Sequence, residues 1–190
     1  ARQVQNKLSD FKNIDLLSII NEFKSTIRRE IDFNFEVSHI ERFQNNFYND
    51  ADIYIPKLYK NLCSKTLLVM EHIDGYTINE LFSGKNQHID PKVIAKKGAN
   101  LILKQIFTFG FFHADPHPGN ILILPDSRIC FLDYGMTGTL PVKYREFLAD
   151  IILGFVSRDS TRIAKSLKKL SRSDESIDMN NLEFQISELV

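Results

Sequence analysis

The sequence has no tryptophan, only two cysteines and no excess of charge of either sign. Lysine plus arginine number 24, and so do aspartate plus glutamate, so no net charge draws the chain toward nucleic acid or anionic lipid. A phosphate-binding function would therefore depend on local geometry and on metal ions. Uninterrupted apolar runs are also short, and none approaches the roughly 20 residues that cross a bilayer as a helix.

The two cysteines, Cys63 and Cys130, are far apart and lie among apolar, strand-like residues. This spacing fits neither a zinc knuckle nor a disulfide framework. We therefore expect both to be buried free thiols in a reducing compartment.

The length and the ends of the chain indicate part of a domain. A chain of 190 residues is long enough for one domain with a sizeable core. It starts at Ala1 without an initiator methionine or a signal-peptide pattern, and it stops at Val190 within an amphipathic pattern. We expect it to be a piece of a longer protein, with any membrane segment or targeting signal outside it.

One stretch carries most of the chemical information. It reads His113-Ala-Asp-Pro-His-Pro-Gly-Asn120, followed by two short apolar segments and then Asp133-Tyr-Gly135. This order matches the protein-kinase catalytic loop H-x-D-x-x-x-x-N and the metal-binding Asp of D-F-G, with Tyr in place of Phe. A hairpin between Asn120 and Asp133 would bring the two side chains together at one metal site.

The residue types of this stretch suit phosphoryl transfer, which requires positioning and charge compensation from the protein. Asp115 would accept or orient the proton of the attacking hydroxyl or water. Asn120 and Asp133 would supply hard oxygen ligands to Mg²⁺ or Mn²⁺. We expect His113 to support the loop backbone, while His117 is either a hydrogen-bond donor to a neighbouring residue of the site or a surface imidazole.

A metal hydrolase is the alternative interpretation of the same residues. His113, Asp115 and His117 alternate along the chain, and alternate residues of an extended strand share one side. However, Pro116 and Pro118 are poor residues for such a strand, and the sequence has no other His-rich cluster to complete the ligand set. Phosphoryl transfer is the favoured interpretation.

The sequence predicts a mixed order of helices and strands around this stretch. We expect helices at 9–47 (with a break near the start), 91–109, 142–156, 159–170 and 178–190, another helix that starts near Thr77, and strands at 53–60 and 66–70. Asp90 and Pro91 would begin the long helix, and Gly110 would end it.

Three acidic residues of the first helical stretch, Glu30, Asp32 and Glu36, fall within two turns. Taken alone, such a cluster is usually a solvated face with local ion pairs. Taken with the loop at 113–120, it makes the chain resemble the UbiB family of ABC1 atypical protein-kinase-like proteins, which carry an E-x-D helix. The segments that carry the resemblance are Arg29-Glu-Ile-Asp-Phe33, Ile55-Pro56, Leu68-Val-Met-Glu-His-Ile-Asp-Gly75, Phe111–Ile121 and Leu132-Asp-Tyr-Gly-Met136.

The resemblance implies an α+β, protein-kinase-like fold, with a mostly helical C-lobe and the C-terminal part of the N-lobe. Residues 1–70 would be the remaining N-lobe, 71–75 the hinge and 76–190 the C-lobe of a single incomplete domain. The family's strand lysine, nucleotide loop and Lys-x-Gly-Gln segment would lie N-terminal to Ala1. The chain alone is therefore expected to be inactive.

The resemblance also implies a catalytic set and an ATP site. Asp115, Asn120 and Asp133 would be catalytic, and Asn120 and Asp133 would hold Mg²⁺ or Mn²⁺. Glu36 would pair with the nucleotide-binding lysine.

Further roles are implied for the E-x-D helix and the hinge. Glu30 and Asp32 would form the regulatory E-x-D pair, which in this family engages a Lys-containing motif that limits access to the active site. Met70 would be the gatekeeper, and Glu71 and Ile73 would offer backbone groups to the adenine of ATP.

The function implied by the resemblance is that of a UbiB-type atypical kinase or ATPase that supports isoprenoid-quinone (ubiquinone-like) or lipid metabolism. Its partners would be ATP, a lipid or quinone-precursor ligand and biosynthetic-complex proteins, without nucleic acid and with peripheral membrane association through regions outside the chain. The expected location is the cytoplasmic face of a bacterial membrane, or alternatively a plastid or mitochondrion. Two other functions stay open: a small-molecule phosphotransferase resembling choline or aminoglycoside kinases, and a non-catalytic nucleotide-binding scaffold.

Overall fold

The computed structural model describes residues 19–21, 24, 27, 31–83, 88–171 and 178–190. The chain divides into two compact units, one of residues 1–94 with 115–136 and the other of residues 95–114 with 137–190. Both contain helices and short strands, so the predicted α+β class is confirmed. The predicted division into lobes at 71–75 stays a prediction. No helix of the described ranges combines the length and apolar character that crossing a bilayer requires.

The described helices and strands have the following bounds. The helices are α1 Phe33–Asn46, α2 Ile78–Phe82, α3 Pro91–Leu103, α4 Val142–Ser157, α5 Ser160–Leu170 and α6 Met179–Ser187. The strands are β1 Ile53–Tyr54, β2 Tyr76–Thr77, β3 Phe111–His113, β4 Ile121–Ile123, β5 Ile129–Phe131 and β6 Thr137–Thr139. A π-helical segment covers Lys104–Phe109, and 3₁₀ turns cover Lys60–Leu62 and Pro118–Asn120.

Helix α1 begins at Phe33, although the sequence predicts helical residues through this point. Asp32 has an extended backbone (φ −120°, ψ 94°), and its carboxylate accepts the Asn34 N–H at 3.1 Å as an N-cap. An aspartate can satisfy a free N–H of a first turn in this way, which favours a new start here over a continuous helix. Asp32 therefore precedes the helix, and Glu30 lies outside the described residues.

The inner face of α1 is apolar at helical spacing. Val37, Ile40 and Phe43 are buried there, and Phe47 at the C-cap is buried as well. The rings of Phe43 and Phe47 stack with centroids 6.0 Å apart. This face supplies the helix side of the core of the first unit.

The first unit also contains a four-stranded sheet in the order β1-β5-β4-β2. Strands β4 and β5 form an antiparallel hairpin, with Ile121 opposite Phe131 and Ile123 opposite Ile129. Strand β1 runs parallel to β5, and β2 runs antiparallel to β4. The hairpin is thus the central element of the sheet.

The two strands predicted at 53–60 and 66–70 are shorter than expected. Only Ile53–Tyr54 is a strand, while Leu58 and Met70 meet in an isolated bridge and so do Ser64 and Leu67. Pro56 explains the early end of β1, because it lacks an N–H for the ladder. This proline is fully buried, and its carbonyl accepts from Gln44 Nε2 at 2.9 Å.

The long helix predicted at 91–109 is present, but its last six residues are π-helical. Asp90 begins it, with its carboxylate accepting the Lys92 N–H at 2.8 Å. Gly110 ends it in the left-handed conformation (φ 59°). A Cβ at Gly110 would lie 2.6 Å from the Leu140 carbonyl oxygen, so both conformation and space favour glycine.

In the second unit, three helices pack after strand β6. Helices α4, α5 and α6 lie near the predicted positions, and their core includes Ile163, Ala164 and Ile186. Gly154 of α4 permits the close approach of α5, since a Cβ there would lie 2.5 Å from Ile163 Cγ1. Asp159 caps α5 by accepting the Arg162 N–H at 2.9 Å.

The two thiols differ in burial. Cys130 is fully buried in β5, as predicted, whereas Cys63 is only half-buried. The side chain of Cys63 lies at the connection between residues 59 and 69, with its sulfur 3.4 Å from the Val69 N–H nitrogen. Both cysteines are free thiols.

The N-cap of α1 provides a test of this fold. Replacing Asp32 by alanine removes the acceptor of the Asn34 N–H, and we expect the free energy of unfolding to fall by about 1 kcal/mol. Asp32→Asn keeps a capping oxygen and loses only an ion pair with exposed Lys65, whose Nζ lies 4.0 Å from Asp32 Oδ2. Exposed ion pairs of this kind contribute little to the free energy of unfolding. Urea unfolding followed by circular dichroism measures both, and equal losses in the two variants would contradict the capping role.

Candidate active site

The hairpin brings Asn120 and Asp133 together. The Leu132 N–H donates to the Asn120 carbonyl at 2.9 Å, and this backbone bond joins the two ends of the hairpin that carry Asn120 and Asp133. Asn120 Nδ2 then donates to Asp133 Oδ2 at 3.3 Å. The prediction that a hairpin returns Asp133 to the side of Asn120 is confirmed, while the metal-binding role of both residues stays a prediction.

The loop before Asn120 is held by short-range hydrogen bonds. The Asp115 carbonyl accepts the His117 N–H at 2.7 Å, and His117 Nδ1 accepts the Gly119 N–H at 3.1 Å. The Asn120 N–H donates to the His117 carbonyl at 2.9 Å. His117 is therefore an exposed imidazole, which is one of the two predicted alternatives, and its ring caps the 3₁₀ turn as an acceptor rather than as the predicted donor. The Asp115 side chain is exposed beside it.

His113 lies in a different environment from His117. It is buried in β3, and its backbone N–H donates to Oε1 of buried Gln105 at 2.8 Å. Among the described residues, no three His, Cys, Asp or Glu side chains gather as a metal site. His113 is buried, whereas Asp115 and His117 are exposed, so the three do not share the environment that the hydrolase interpretation requires.

Helix α1 holds the main chain directly after Asp133. The Tyr134 N–H donates to Glu36 Oε1 at 3.0 Å, and His39 Nδ1 lies 2.8 Å from the Tyr134 carbonyl oxygen. Because a carbonyl oxygen can only accept, His39 Nδ1 must carry the hydrogen. We call these two bonds the Tyr134 clamp. The Tyr134 ring is fully buried and meets the Phe43 ring edge-on, with centroids 5.0 Å apart.

The carboxylate of Asp133 is oriented by its own turn. Asp133 Oδ1 accepts the Gly135 N–H at 2.8 Å, and Oδ2 faces Asn120. Both side chains are accessible to solvent. The Asn120 amide nitrogen faces the carboxylate here, but the two side chains together carry an amide oxygen and carboxylate oxygens, which are the hard donors that Mg²⁺ prefers, so the residue types present fit this ion.

Glu36 is the half-buried carboxylate of the site. Burial raises its pKa and the nearby Asp133 carboxylate adds to the rise, whereas the Tyr134 N–H and His39 act in the opposite direction. The Tyr134 bond uses Oε1, and within the described ranges Oε2 has no hydrogen-bond partner. A cation beside Oε2 would stabilise the charged form.

The predicted hinge residues are anchored to the neighbouring strand. The Glu71 N–H donates to the Lys57 carbonyl at 2.9 Å, and Glu71 Oε2 accepts the Tyr54 hydroxyl at 2.8 Å and the Lys57 N–H at 3.1 Å. These bonds to Lys57 and Tyr54 lower the pKa of the Glu71 carboxyl. Met70 pairs with Leu58, and Ile73 packs against the hairpin cluster of Leu122, Leu124 and Cys130.

Glu71 and Ile73 differ in the backbone groups that they leave open to a ligand. The Glu71 N–H is already bonded, so its carbonyl is the group that adenine could contact. Among the described residues, Ile73 makes no backbone hydrogen bond. The Glu71 carbonyl and the Ile73 backbone groups are thus open to a nucleobase, and their contact with adenine stays a prediction.

Sequence reasoning missed His39 and Gln105. Gln105 could have been noticed, because it is a polar residue within the apolar pattern of a helix and proves fully buried. His39 carried no such signal, since histidine on a helix is common at surfaces. Its contact with Tyr134, 95 positions later, becomes visible only in the folded chain.

The comparisons agree with the resemblance seen in the sequence. The ABC1 atypical kinase-like domain matches residues 1–167. A chloroplastic protein of Arabidopsis thaliana, ACTIVITY OF BC1 COMPLEX KINASE 3, is 31% identical over 92% of this chain and 24% of its own length. A probable protein kinase UbiB of Shewanella woodyi is 36% identical over 77% of this chain and 28% of its own length.

A solved structure supports the fold. The erythromycin complex of Rv3197 from Mycobacterium tuberculosis superposes with a TM-score of 0.70 at 19% identity, covering 98% of this chain and 48% of that protein. The chain thus spans about half of that structure, and about a quarter of the two curated relatives. Because the family match extends over most of the residues and includes both the acidic helix and the catalytic loop, the chain belongs to the ABC1 atypical kinase-like family.

Proposed function

We propose that this chain is the part of a UbiB-type atypical kinase or ATPase that carries its metal-binding and catalytic-loop residues. The observation behind the proposal is the contact between Asn120 and Asp133, next to a main chain held by Glu36. The kinase names of the relatives support the same class. ATP is the proposed nucleotide, with Mg²⁺ or Mn²⁺ as the ion.

Each residue of the loop has a proposed task that its position supports. Asp115, exposed beside the 3₁₀ turn, orients the acceptor hydroxyl or water and takes up its proton. Asn120 and Asp133 hold the ion, which when bound compensates the negative charge of the nucleotide phosphates. The Gly135 N–H bond keeps Asp133 from rotating, so its second oxygen stays directed toward Asn120.

Glu36 has the properties of a carboxylate that can pair with a cation. Its carboxylate is half-buried, its pKa is raised by burial, and Oε2 lacks a partner among the described residues. A lysine ammonium, supplied by the nucleotide-binding strand of the whole protein, would satisfy this oxygen. We therefore assign Glu36 as the partner of that lysine.

The hinge would bind the adenine edge through the Glu71 carbonyl and the Ile73 N–H, with Met70 as gatekeeper. The Tyr54 hydroxyl and the Lys57 N–H hold the Glu71 side chain and anchor this residue. Leu122 and Leu124 of the hairpin lie against Ile73 and would form the apolar floor.

The biological setting is proposed from the relatives. Their printed names include chloroplastic and UbiB proteins, which supports a role in isoprenoid-quinone or lipid metabolism at a bacterial membrane or in a plastid. A lipid or quinone precursor and biosynthetic-complex proteins are the proposed partners. The balanced charge of the chain gives no reason to propose nucleic acid. The regulatory role of Glu30 and Asp32 stays part of the proposal, with Asp32 also acting as the cap of α1.

Removing the metal-binding carboxylate tests the proposal directly. In the whole protein, Asp133→Asn is expected to lower Mg²⁺-dependent ATP turnover by at least about 100-fold, because a carboxylate ligand is lost. Asp126→Asn is the matched control, since Asp126 is an exposed aspartate at the turn of the same hairpin and pairs only locally with Arg128. Equal turnover in the parent and Asp133→Asn would overturn the proposal.

Asp115→Asn separates an enzyme from a non-catalytic scaffold. The exposed side chain of Asp115 can change without loss of core packing, so we expect nucleotide affinity to persist while turnover falls by about 100-fold or more. Complementation of a quinone-deficient strain reports the biological function. Full complementation by Asp115→Asn, with turnover abolished, would favour the scaffold.

Glu36→Gln tests the cation partner. Glutamine keeps an acceptor for the Tyr134 N–H and removes the charge that burial disfavours, so stability at pH 7 should not fall. Nucleotide affinity, measured by calorimetry, should weaken by about 10-fold because the lysine loses a charged partner. Glu36→Ala, which removes the acceptor too, should lower both. Unchanged affinity in Glu36→Gln would contradict the assignment.

A further inference from the structure

His39 lies between Glu36 and Phe43 on helix α1. It follows Glu36 by three residues and precedes Phe43 by four, so the three side chains lie on one face of α1. All three contact Tyr134: Glu36 the N–H, His39 the carbonyl and Phe43 the ring. Helix α1 thus contacts the N–H, the carbonyl and the ring of this one residue.

The two bonds of the Tyr134 clamp fix two different peptide planes. The Tyr134 N–H belongs to the peptide between residues 133 and 134, which Glu36 holds. The Tyr134 carbonyl belongs to the peptide between residues 134 and 135, which His39 holds. Since a peptide is planar, fixing one of its polar groups fixes the direction of the other.

The second peptide is the one that orients Asp133. Its N–H is that of Gly135, and this N–H donates to Asp133 Oδ1 at 2.8 Å. The bond from His39 to the carbonyl therefore directs the N–H on the opposite edge toward the Asp133 carboxylate. A rotation of this peptide by about 180° would turn the carbonyl toward Asp133 and the N–H away.

Gly135 makes such a rotation feasible. Glycine adopts both signs of φ with similar ease, and exchange of the central peptide relates type I and type II turns. Without a bond on the carbonyl, the orientation that serves Asp133 would depend on the Gly135 N–H alone. His39 adds a second constraint from a different part of the chain.

We propose that His39 is a positioning residue for Asp133. The Nδ1–H of His39 holds the 134–135 peptide in the orientation in which the Gly135 N–H donates to Asp133 Oδ1. Asp133 Oδ2 then stays beside Asn120. This inference rests on the proposed function for the metal-binding role of Asp133, whereas the peptide orientation itself does not depend on that function. His39 touches neither nucleotide nor ion in this account.

Two amide substitutions separate the hydrogen bond from the shape of the side chain. In asparagine, Nδ2 stands where Nδ1 stands in histidine, whereas in glutamine the amide nitrogen is one bond further out. His39→Asn can therefore keep the donor in place, and His39→Gln cannot. His39→Leu removes the donor and keeps most of the volume. Ser38→Ala is the control, since Ser38 is an exposed neighbour on the same helix.

The first measurement requires neither nucleotide nor metal. Amide hydrogen exchange of Gly135 in the whole protein should be about 10-fold faster in His39→Leu and His39→Gln than in the parent, because losing one net hydrogen bond changes the population of the bonded form by about that factor. His39→Asn and Ser38→Ala should exchange like the parent. Parent-like exchange in His39→Leu would overturn the proposal whether or not the protein binds nucleotide.

The second measurement is the Mg²⁺ concentration that gives half-maximal ATP turnover. It should rise about 10-fold in His39→Leu and His39→Gln and return to the parent value in His39→Asn. A loss of thermal stability in His39→Leu with an unchanged Mg²⁺ requirement would reduce His39 to a packing residue. If the parent shows no Mg²⁺-dependent turnover, the proposed function fails, while the exchange of Gly135 still decides the role of His39.

Discussion

The hydrogen bond from the Tyr134 amide to the Glu36 carboxylate is the constraint on which the candidate site depends. It joins two residues 98 positions apart and ties helix α1 to the end of the β4–β5 hairpin. Burial of the carboxylate is unfavourable by itself, but the same burial excludes water and strengthens the bond. The ring of Tyr134 is buried and packs edge-on against Phe43 of the same helix. Tyr134 is therefore held both by a hydrogen bond to its backbone and by apolar packing of its ring.

A second anchor lies at Glu71, a residue of the predicted hinge. There, Glu71 accepts bonds from Tyr54 and Lys57, and β1 runs parallel to β5. The two glutamates differ in a way that matches their surroundings. Hydrogen bonds lower the pKa of Glu71, which stays charged and structural, while burial raises the pKa of Glu36, whose charge depends on what approaches it. The hairpin is thus held on one side by a satisfied carboxylate and on the other by one that can still accept a cation.

Sequence reasoning succeeded where chemistry is local. The spacing between Asn120 and Asp133 predicted the hairpin, and Asp90, Pro91 and Gly110 predicted the ends of a helix, because caps and turns depend on a few adjacent residues. The prediction of a helix running through Asp32 is wrong, because this residue is the N-cap of α1, whereas its E-x-D role stays a prediction. Sequence reasoning also overlooked His39, since its partner is distant in sequence. The strand at 53–60 was overestimated because the alternation of apolar residues outweighed the missing N–H of Pro56.

The difference between the two cysteines has a consequence for chemical labelling. Burial, with a smaller contribution from Glu71, raises the pKa of the Cys130 thiol to about 12, so it stays protonated at neutral pH. Since the thiolate is the reactive form, alkylating agents and oxidants have little access to the hairpin cluster beneath Ile73. Cys63 is half-buried on the connection that leads toward the hinge. A thiol reagent would therefore report on that connection while leaving the apolar floor of the proposed nucleotide site chemically intact.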